Sequence, residues 1–547
     1  MGVGRAELLA ALAVASTSFV VPAPAPGAPA RDIDPARFGA QIDPVTAPAF
    51  CSRLQDDGAT VSAQFLSRGV MERNDGSLNR SVIDNRVDAL LDCGIEVGLR
   101  VATGTAEEEN GLPDDLDAYT ALLTQLSAHL AGRVDHFAID NETAAPSHWP
   151  GSAESYFELV RAASAALRAG NPNATVVDGT MASGSMTAVM VDDLYDRGRF
   201  DEAIALAQET QANELGGGAP VTDMASLTDY VTSDKVQRFV RFFELLVGNQ
   251  SHIDAMQLHY YGPWRSLPEM FDFVRDHGVT VPIELWETNH RYKDGRPFVE
   301  SEHADEVARL LVTAAGEGSS FTVFSSYLGK EENDAYGLLT FDGTGDRDAR
   351  RTFRSVSETL TGARAAERLS LPGNAWGYRF ERPGASDLAA FWSDPGRARV
   401  GERLGIDATT AAVATAGIGG IRHVRLDRLE AEGTPRFAEP DLVEIAEAGG
   451  RQARKAARLR LTCPDASPTR RCAGEVKLTR RGKGRPRKLG SAGYSVPRGE
   501  SDSVRVRIAR RHGKRPKATG ATAVADRCTV RGKGGCRSWA QLTPRSP

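Results

Sequence analysis

Between Arg37 and Gly362 short apolar runs alternate with segments of helical periodicity, and this alternation narrows the choice of fold more than any other feature. A strand, a crossover helix and a second strand make one βα unit, and repetition of the unit builds a parallel sheet covered by helices. Strands are predicted near Phe38–Ile42, Val61–Leu66, Ile95–Val101, Val134–Asn141, Thr175–Asp178, Ile253–Tyr260, Val281–Trp286 and Phe321–Tyr327. Eight strands in about 325 residues fit an α/β fold of the (β/α)8 TIM-barrel type. The intervening helices are amphipathic. Tyr119, Leu122, Leu123, Leu126 and Leu130 share one face at helical spacing, as do Phe157, Leu159, Val160, Ala163 and Leu167.

The rest of the 547-residue chain reads differently. After Gly362 the helical period fades, and short alternating stretches such as Trp376–Arg382 and Leu388–Trp392 predict a small β domain over 363–450. Residues 451–547 carry 27 Lys and Arg against 5 Asp and Glu, a local net charge of +22. The whole chain has a net charge of -6, so the remainder is strongly acidic. A basic C-terminal β domain of the disulfide-containing, sandwich-like kind is expected there, with Cys463–Cys472 and Cys528–Cys536 as short-range pairs. Cys51 and Cys93 read equally well as a pair or as buried thiols. At the other end, Arg5, the apolar stretch Leu8–Val21 and the Pro- and Ala-rich residues that follow read as a signal peptide over residues 1–30. That places the protein outside the cell or on its surface, with no membrane span in the mature chain and a catalytic domain expected over 31–362. The basic segment lacks interleaved aromatics and any helix-turn-helix or zinc-finger spacing, which excludes specific nucleic-acid recognition. An anionic cell-wall or matrix polymer is the partner its charge suggests. No CxxC or histidine cluster calls for a metal, and no cofactor motif is present, so none is expected.

In a barrel of this kind, chemistry collects at the C-terminal ends of the strands. Two strand ends carry carboxylates in suggestive settings: the segment His136–Glu142, which ends Asp140, Asn141, Glu142, and the segment Val281–His290, which contains Glu284 and Glu287. Paired carboxylates are what glycoside hydrolysis needs, one to protonate the leaving oxygen and one to attack the anomeric carbon. Their surroundings must push the two pKa values apart.

These motifs resemble those of clan A glycoside hydrolases. Asn141–Glu142 is similar to the Asn-Glu that ends the clan's fourth strand, and Pro282–Glu287 to the seventh strand, which ends in the nucleophile. Ala255–Tyr261 is similar to the sixth strand with its site-facing His and Tyr. Val70–Gly76 with Asp84, and Gly337–Leu339 with Asp342–Gly343, resemble the stretches after the second and eighth strands. The resemblance spans roughly residues 37–440 and is nearest to families 5 and 39. It implies a retaining hydrolase of β-linked O-glycosides, with Glu142 as general acid/base and Glu287 as nucleophile. Two features depart from the clan pattern. Val61–Leu66 lacks the second-strand Arg that supports the nucleophile, Gln64 being the nearest polar group, and Thr143 stands where Pro usually follows Asn-Glu.

Around this pair Asn141 is expected to bind a sugar hydroxyl, His259 to face substrate and Tyr261 to donate to the nucleophile. Trp149, Trp264 and Tyr327 are further substrate-binding candidates, with Trp286 and His290 behind them; each aromatic is either a stacking platform for a sugar or ordinary core. Strict strand alternation places Glu287 on the face of Ile283 and Leu285, and Glu284 on the other. The competing function is a carbohydrate-binding protein on an impaired barrel, for which the missing second-strand Arg is the main argument.

Overall fold

The computed structural model describes residues 34–541, except 105–110, 180, 212–219, 291–296, 332–334 and a series of short stretches between 383 and 535. Nine parallel strands form one curled sheet: β1 Arg37–Ala40, β2 Val61–Ser67, β3 Glu96–Ala102, β4 His136–Ile139, β5 Thr175–Asp178, β6 Met181–Ala182, β7 Met256–Tyr260, β8 Ile283–Thr288 and β9 Phe321–Phe324. Their order is β5-β4-β3-β2-β1-β9-β8-β7-β6. The two-residue β6 continues β5 after a break and pairs with β7, and β5 itself meets β7 through a parallel bridge between Val177 and Ala255. The ends of the sheet therefore come together, and all eight predicted strands lie in it.

The helices form where the apolar spacing places them. Asp115 caps Leu116–Leu130 by accepting from the Ala118 N–H at 2.8 Å, and Tyr119, Leu122, Leu123, Leu126 and Leu130 are all buried. Ser152 caps Ala153–Gly170, whose buried face carries Phe157, Leu159, Val160, Ala163 and Leu167. The long segment after β6 folds into helices Ser183–Asp196, Phe200–Thr210 and Met224–Val231, which close a small core of their own around Val191, Ala203, Ala207 and Leu227.

Inside the sheet a second apolar cluster joins Val61, Ala63, Ala138, Val177, Ala255, Trp286, Phe321 and Val323. Most of these are small, and Trp286 fills the space they leave. Gly98 on β3 makes room for it, since a Cβ there would stand 2.6 Å from the indole. The strand bulges at Trp286. Leu258 pairs with Leu285, but the next residue, His259, pairs with Glu287, leaving Trp286 as the extra residue.

Beyond the sheet the strands are antiparallel. Residues 364–440 form a six-stranded sheet, and its Tyr378, Phe380, Trp392 and Phe437 share one continuous core with the barrel helices. A two-stranded ribbon pairs Ala398–Arg399 with Glu430–Ala431. Smaller sheets of three and four strands follow, running to Gln541. The expected signal peptide, Cys463, Cys528 and the basic stretches 481–486 and 508–520 lie outside the described residues. Cys51 and Cys93 are disulfide-bonded, with Cα atoms 5.0 Å apart, tying helix Ala47–Asp56 to the end of helix Arg80–Leu91. Among the described residues no helix is long and apolar enough to cross a membrane.

Candidate active site

The C-terminal ends of five strands converge on two carboxylates. Glu142 lies three residues past β4 at the end of an unusual backbone turn. Asp140 and Glu142 have φ of 63° and 48°, and they are the only non-glycine residues among those described with positive φ. Such a conformation persists only where the surroundings enforce it, and it turns the Glu142 side chain back over the sheet. Asp140, fully buried, accepts from the backbone N–H groups of Asn141 (2.9 Å) and Thr103 (3.3 Å). Burial raises its carboxyl to a pKa of about 6, against those hydrogen bonds.

Glu287 is held from three other strands. Arg100 of β3 donates from Nη1 to Oε1 at 2.6 Å and from Nη2 to the Trp286 carbonyl at 2.8 Å. Gln41, one residue past β1, donates to the same Oε1 at 3.0 Å. The Tyr261 hydroxyl, just past β7, donates to Oε2. Burial opposes ionisation of Glu287, but the charges of His259 and Arg100 and the hydrogen bonds from Tyr261 and Gln41 outweigh it and hold its pKa at about 2. The supporting arginine that the second strand lacks is thus supplied by the third. Arg100 is fully buried, and its guanidinium lies over the ring of Phe65, its register partner on β2, at 4.6 Å.

His259 links the two acids. Its Nδ1 stands 2.8 Å from Glu142 Oε1 and 3.8 Å from Glu287 Oε2. On the other side of Glu142, His148 Nδ1 lies 3.1 Å from Oε2, at ion-pair distance but off a hydrogen-bonding angle. Burial again opposes the charge on Glu142, and the two imidazoles overcome it, so that this carboxyl lies well below the ordinary range. The expectation that the two acids have pKa values pushed to opposite sides is therefore not met: both are held low, because each has cationic neighbours. His148 in turn is raised by its contact with Glu142, against burial.

One oxygen of each acid and one His259 nitrogen all fall within 4.8 Å of one another. This is the one group of three His, Cys, Asp or Glu among the described residues close enough to share an ion. Arg100 already occupies Glu287 with a positive charge at 2.6 Å, so the group is better suited to a pair of acids than to a cation.

Asn141, His259 and Tyr261 join Glu142 and Glu287 as expected from the sequence. Asn141 Oδ1 is buried with no hydrogen-bond partner among the described residues. Three of the aromatic candidates do not join them. Trp149 packs edge-on against Tyr156 and donates its N–H to the Ser152 carbonyl. Trp264 is wedged edge-on between Trp376 and Trp392 where the antiparallel sheet meets the barrel. Tyr327 donates to buried Asp57 at 2.8 Å. Each is at most 1% exposed, so none offers a face to a ligand. Trp286 is equally buried, and His290 faces Glu306. Glu284, the alternative to Glu287, does not join the pair. It sits deep in the sheet interior, accepting from Trp286 Nε1 at 2.8 Å and facing His136 at 3.4 Å. Sequence reading missed Gln41, Arg100, His148 and Phe65. Arg100 did leave a signal, since a lone arginine in the apolar run Val97–Val101 must find a buried partner.

No protein-family model matches the chain, and no curated protein matches its sequence. Solved structures do match. The first is a family 39 glycoside hydrolase from the gut symbiont Bacteroides cellulosilyticus WH2, at 13% identity and a TM-score of 0.51, covering 74% of this chain and 81% of that one. A glucosidase from Croceicoccus marinus is 14% identical over 88% of this chain and 95% of its own, with a TM-score of 0.47. A family 30 xylanase from Clostridium acetobutylicum is 11% identical over 75% and 97%, also at 0.47. In architecture the chain is thus a TIM barrel with two facing acids at its strand ends. The fold it shares is that of the family 39 glycoside hydrolase.

Proposed function

We propose that the protein is a secreted, retaining glycoside hydrolase acting on β-linked carbohydrates, with Glu287 as nucleophile and Glu142 as acid/base. The observation that carries this reading is the separation of the pair: a Glu142 oxygen and a Glu287 oxygen lie within 4.8 Å. Retaining enzymes need their carboxyls about 5–5.5 Å apart, whereas inverting ones need about 6.5–9.5 Å to admit a water.

The roles follow from the partners. Glu287 is kept ionised by Arg100, Tyr261 and Gln41, as a nucleophile must be. It attacks the anomeric carbon while Glu142 delivers a proton to the departing oxygen. Glu142 then takes a proton from the water that releases the sugar from Glu287. The unpaired Asn141 oxygen is suited to accept from a sugar hydroxyl. Phe65, 44% exposed and stacked on Arg100, suits the C–H face of a sugar ring. Secretion is supported by the leader-like N-terminal sequence, and attachment to an anionic matrix by the charge of the C-terminal segment alone.

Chemical rescue tests the roles. Glu287→Ala is expected to lose turnover of aryl β-glycosides by about 10³-fold or more, and azide should restore part of it as the α-glycosyl azide. Glu142→Ala should spare activated aryl substrates, whose leaving groups need little protonation, and form the β-azide. Rescue of Glu284→Ala instead of Glu287→Ala would overturn the assignment.

A further inference from the structure

Glu142 has two imidazole neighbours, and they differ in one respect. His259 meets Oε1 and its side chain is wholly buried, so it has no direct exchange with solvent. His148 meets Oε2, and although its Nδ1 is buried against the carboxylate, 41% of its side chain is exposed. His148 is therefore an ionisable group that touches both Glu142 and water.

The loop that carries it is fastened. Arg238, on helix Asp234–Asn249, donates to the carbonyls of Thr143, Ala144, Trp149 and Gly151, binding both sides of the His148 turn. The Trp149 ring that follows is locked into the core by Tyr156 and Ser152. Six side-chain contacts thus fix the chain on either side of an exposed histidine. The charged and titratable groups facing the imidazole are Glu142 and Asp140 after β4 and Glu287 on β8, with His259 of β7 across the Glu142 carboxylate. The field at His148 is acidic on balance, and it favours the imidazolium.

We infer that His148 is the proton reservoir of Glu142, a positioning residue that carries protons between solvent and the acid/base. The inference deepens the reading of Glu142 as acid/base and rests on it. In the resting state the proton sits on His148 and Glu142 is a carboxylate. When the glycosidic bond breaks, the His148 ring turns into line with the carboxylate 3.1 Å away, the proton passes from Nδ1 to Glu142 Oε2, and the carboxyl gives its own proton to the leaving oxygen. The bond from the anomeric carbon to that oxygen is replaced by one to Glu287, leaving neutral His148 and ionised Glu142. In the second step a water attacks the anomeric carbon, Glu287 departs as carboxylate, and the water's proton returns through Glu142 to His148. Protons and charge balance over the cycle, and no other reactant is needed.

Two measurements test the inference. The first compares pH profiles of kcat/KM for wild type and His148→Gln on an alkyl β-glycoside and on a dinitrophenyl β-glycoside. The basic limb for the alkyl substrate is expected to move at least about one pH unit lower in His148→Gln, because the proton then belongs to Glu142 alone. Turnover of that substrate at pH 7 should fall about tenfold or more, with the dinitrophenyl substrate much less affected. The second follows the His148 ring by NMR in the full chain. It should titrate above 6.5 in wild type and return toward that ordinary value in Glu142→Gln. A wild type that hydrolyses no glycoside would overturn the functional reading and this inference with it. An active wild type whose profile is superimposable on that of His148→Gln would overturn the reservoir alone, as would a His148 titration indifferent to Glu142→Gln.

Discussion

Glu287 draws hydrogen bonds from side chains at the ends of three strands, and the buried cation among them decides its charge. Removing one member of a buried ion pair leaves the other uncompensated, at a cost of about 3–5 kcal/mol. Arg100→Met is therefore expected to raise the Glu287 carboxyl toward the ordinary range and to lower kcat/KM about 10²-fold or more. The acidic limb of the pH profile should move upward with it, and an unchanged limb would show that Arg100 is not what keeps Glu287 ionised. Asp140 behaves in the opposite sense. Its folded pKa of about 6 lies above the unfolded 3.8. The folded state thus holds the extra proton between these values, and stability is lost as pH rises from about 4 to about 6. The loss is on the order of 3 kcal/mol. Thermal melts of wild type and Asp140→Asn across that interval should converge at low pH and diverge above it, with wild type losing more. That Glu142, Glu287, Asn141, His259 and Tyr261 meet at one end of the barrel was legible in the sequence, because these are side chains at the ends of recognisable apolar runs. It misjudged Trp149, Trp264 and Tyr327, because a large aromatic looks the same in sequence whether it lines a groove or fills a core.

At the level of elements, the bulge in β8 shows why alternation alone misleads. Counting by twos sets Glu287 beside Ile283 and Leu285, yet those two pack outward against the helices. Glu284 and Trp286 point inward, and the extra residue at Trp286 returns Glu287 to the inward side. The strand and the catalytic candidate were legible; the face was not, since a bulge leaves no mark in a run of apolar residues. The disulfide was likewise open from sequence, and its value is set by the loop it closes. Cys51 and Cys93 are 42 residues apart, which corresponds to about 4 kcal/mol of chain entropy withheld from the unfolded state. A Cys51→Ser, Cys93→Ser double variant should unfold at correspondingly lower denaturant while keeping its kcat. Equal midpoints would mean that native contacts around helix Ala47–Asp56 suffice without the bond.

Across the whole molecule, the acidic pair depends on the barrel, and the barrel depends on the sheet that follows it. Tyr378, packed in the common core, donates to Glu317, which Arg368 also binds, and Trp264 lies between Trp376 and Trp392. Strands over 364–440 thus cover apolar helix surface that would otherwise meet water. A chain ending at residue 450 is expected to melt cooperatively and to turn over small soluble glycosides like the full protein. One ending at residue 362 should not fold. Loss of small-substrate turnover in the first, with the barrel still folded by circular dichroism, would place part of the site in the basic segment. The order of strands and the change to antiparallel sheet were readable from hydropathy periods. The tight joining of the two was not, because contacts between distant segments have no local signature.

The central claim is that Glu287 forms a covalent bond to the sugar. An activated 2-deoxy-2-fluoro β-glycoside, which slows the second displacement more than the first, should leave a glycosyl group on the enzyme. Peptide mass mapping should then find it on Glu287 and on no other residue. Label on Glu284, or turnover with inverted anomeric configuration and no label at all, would contradict the account.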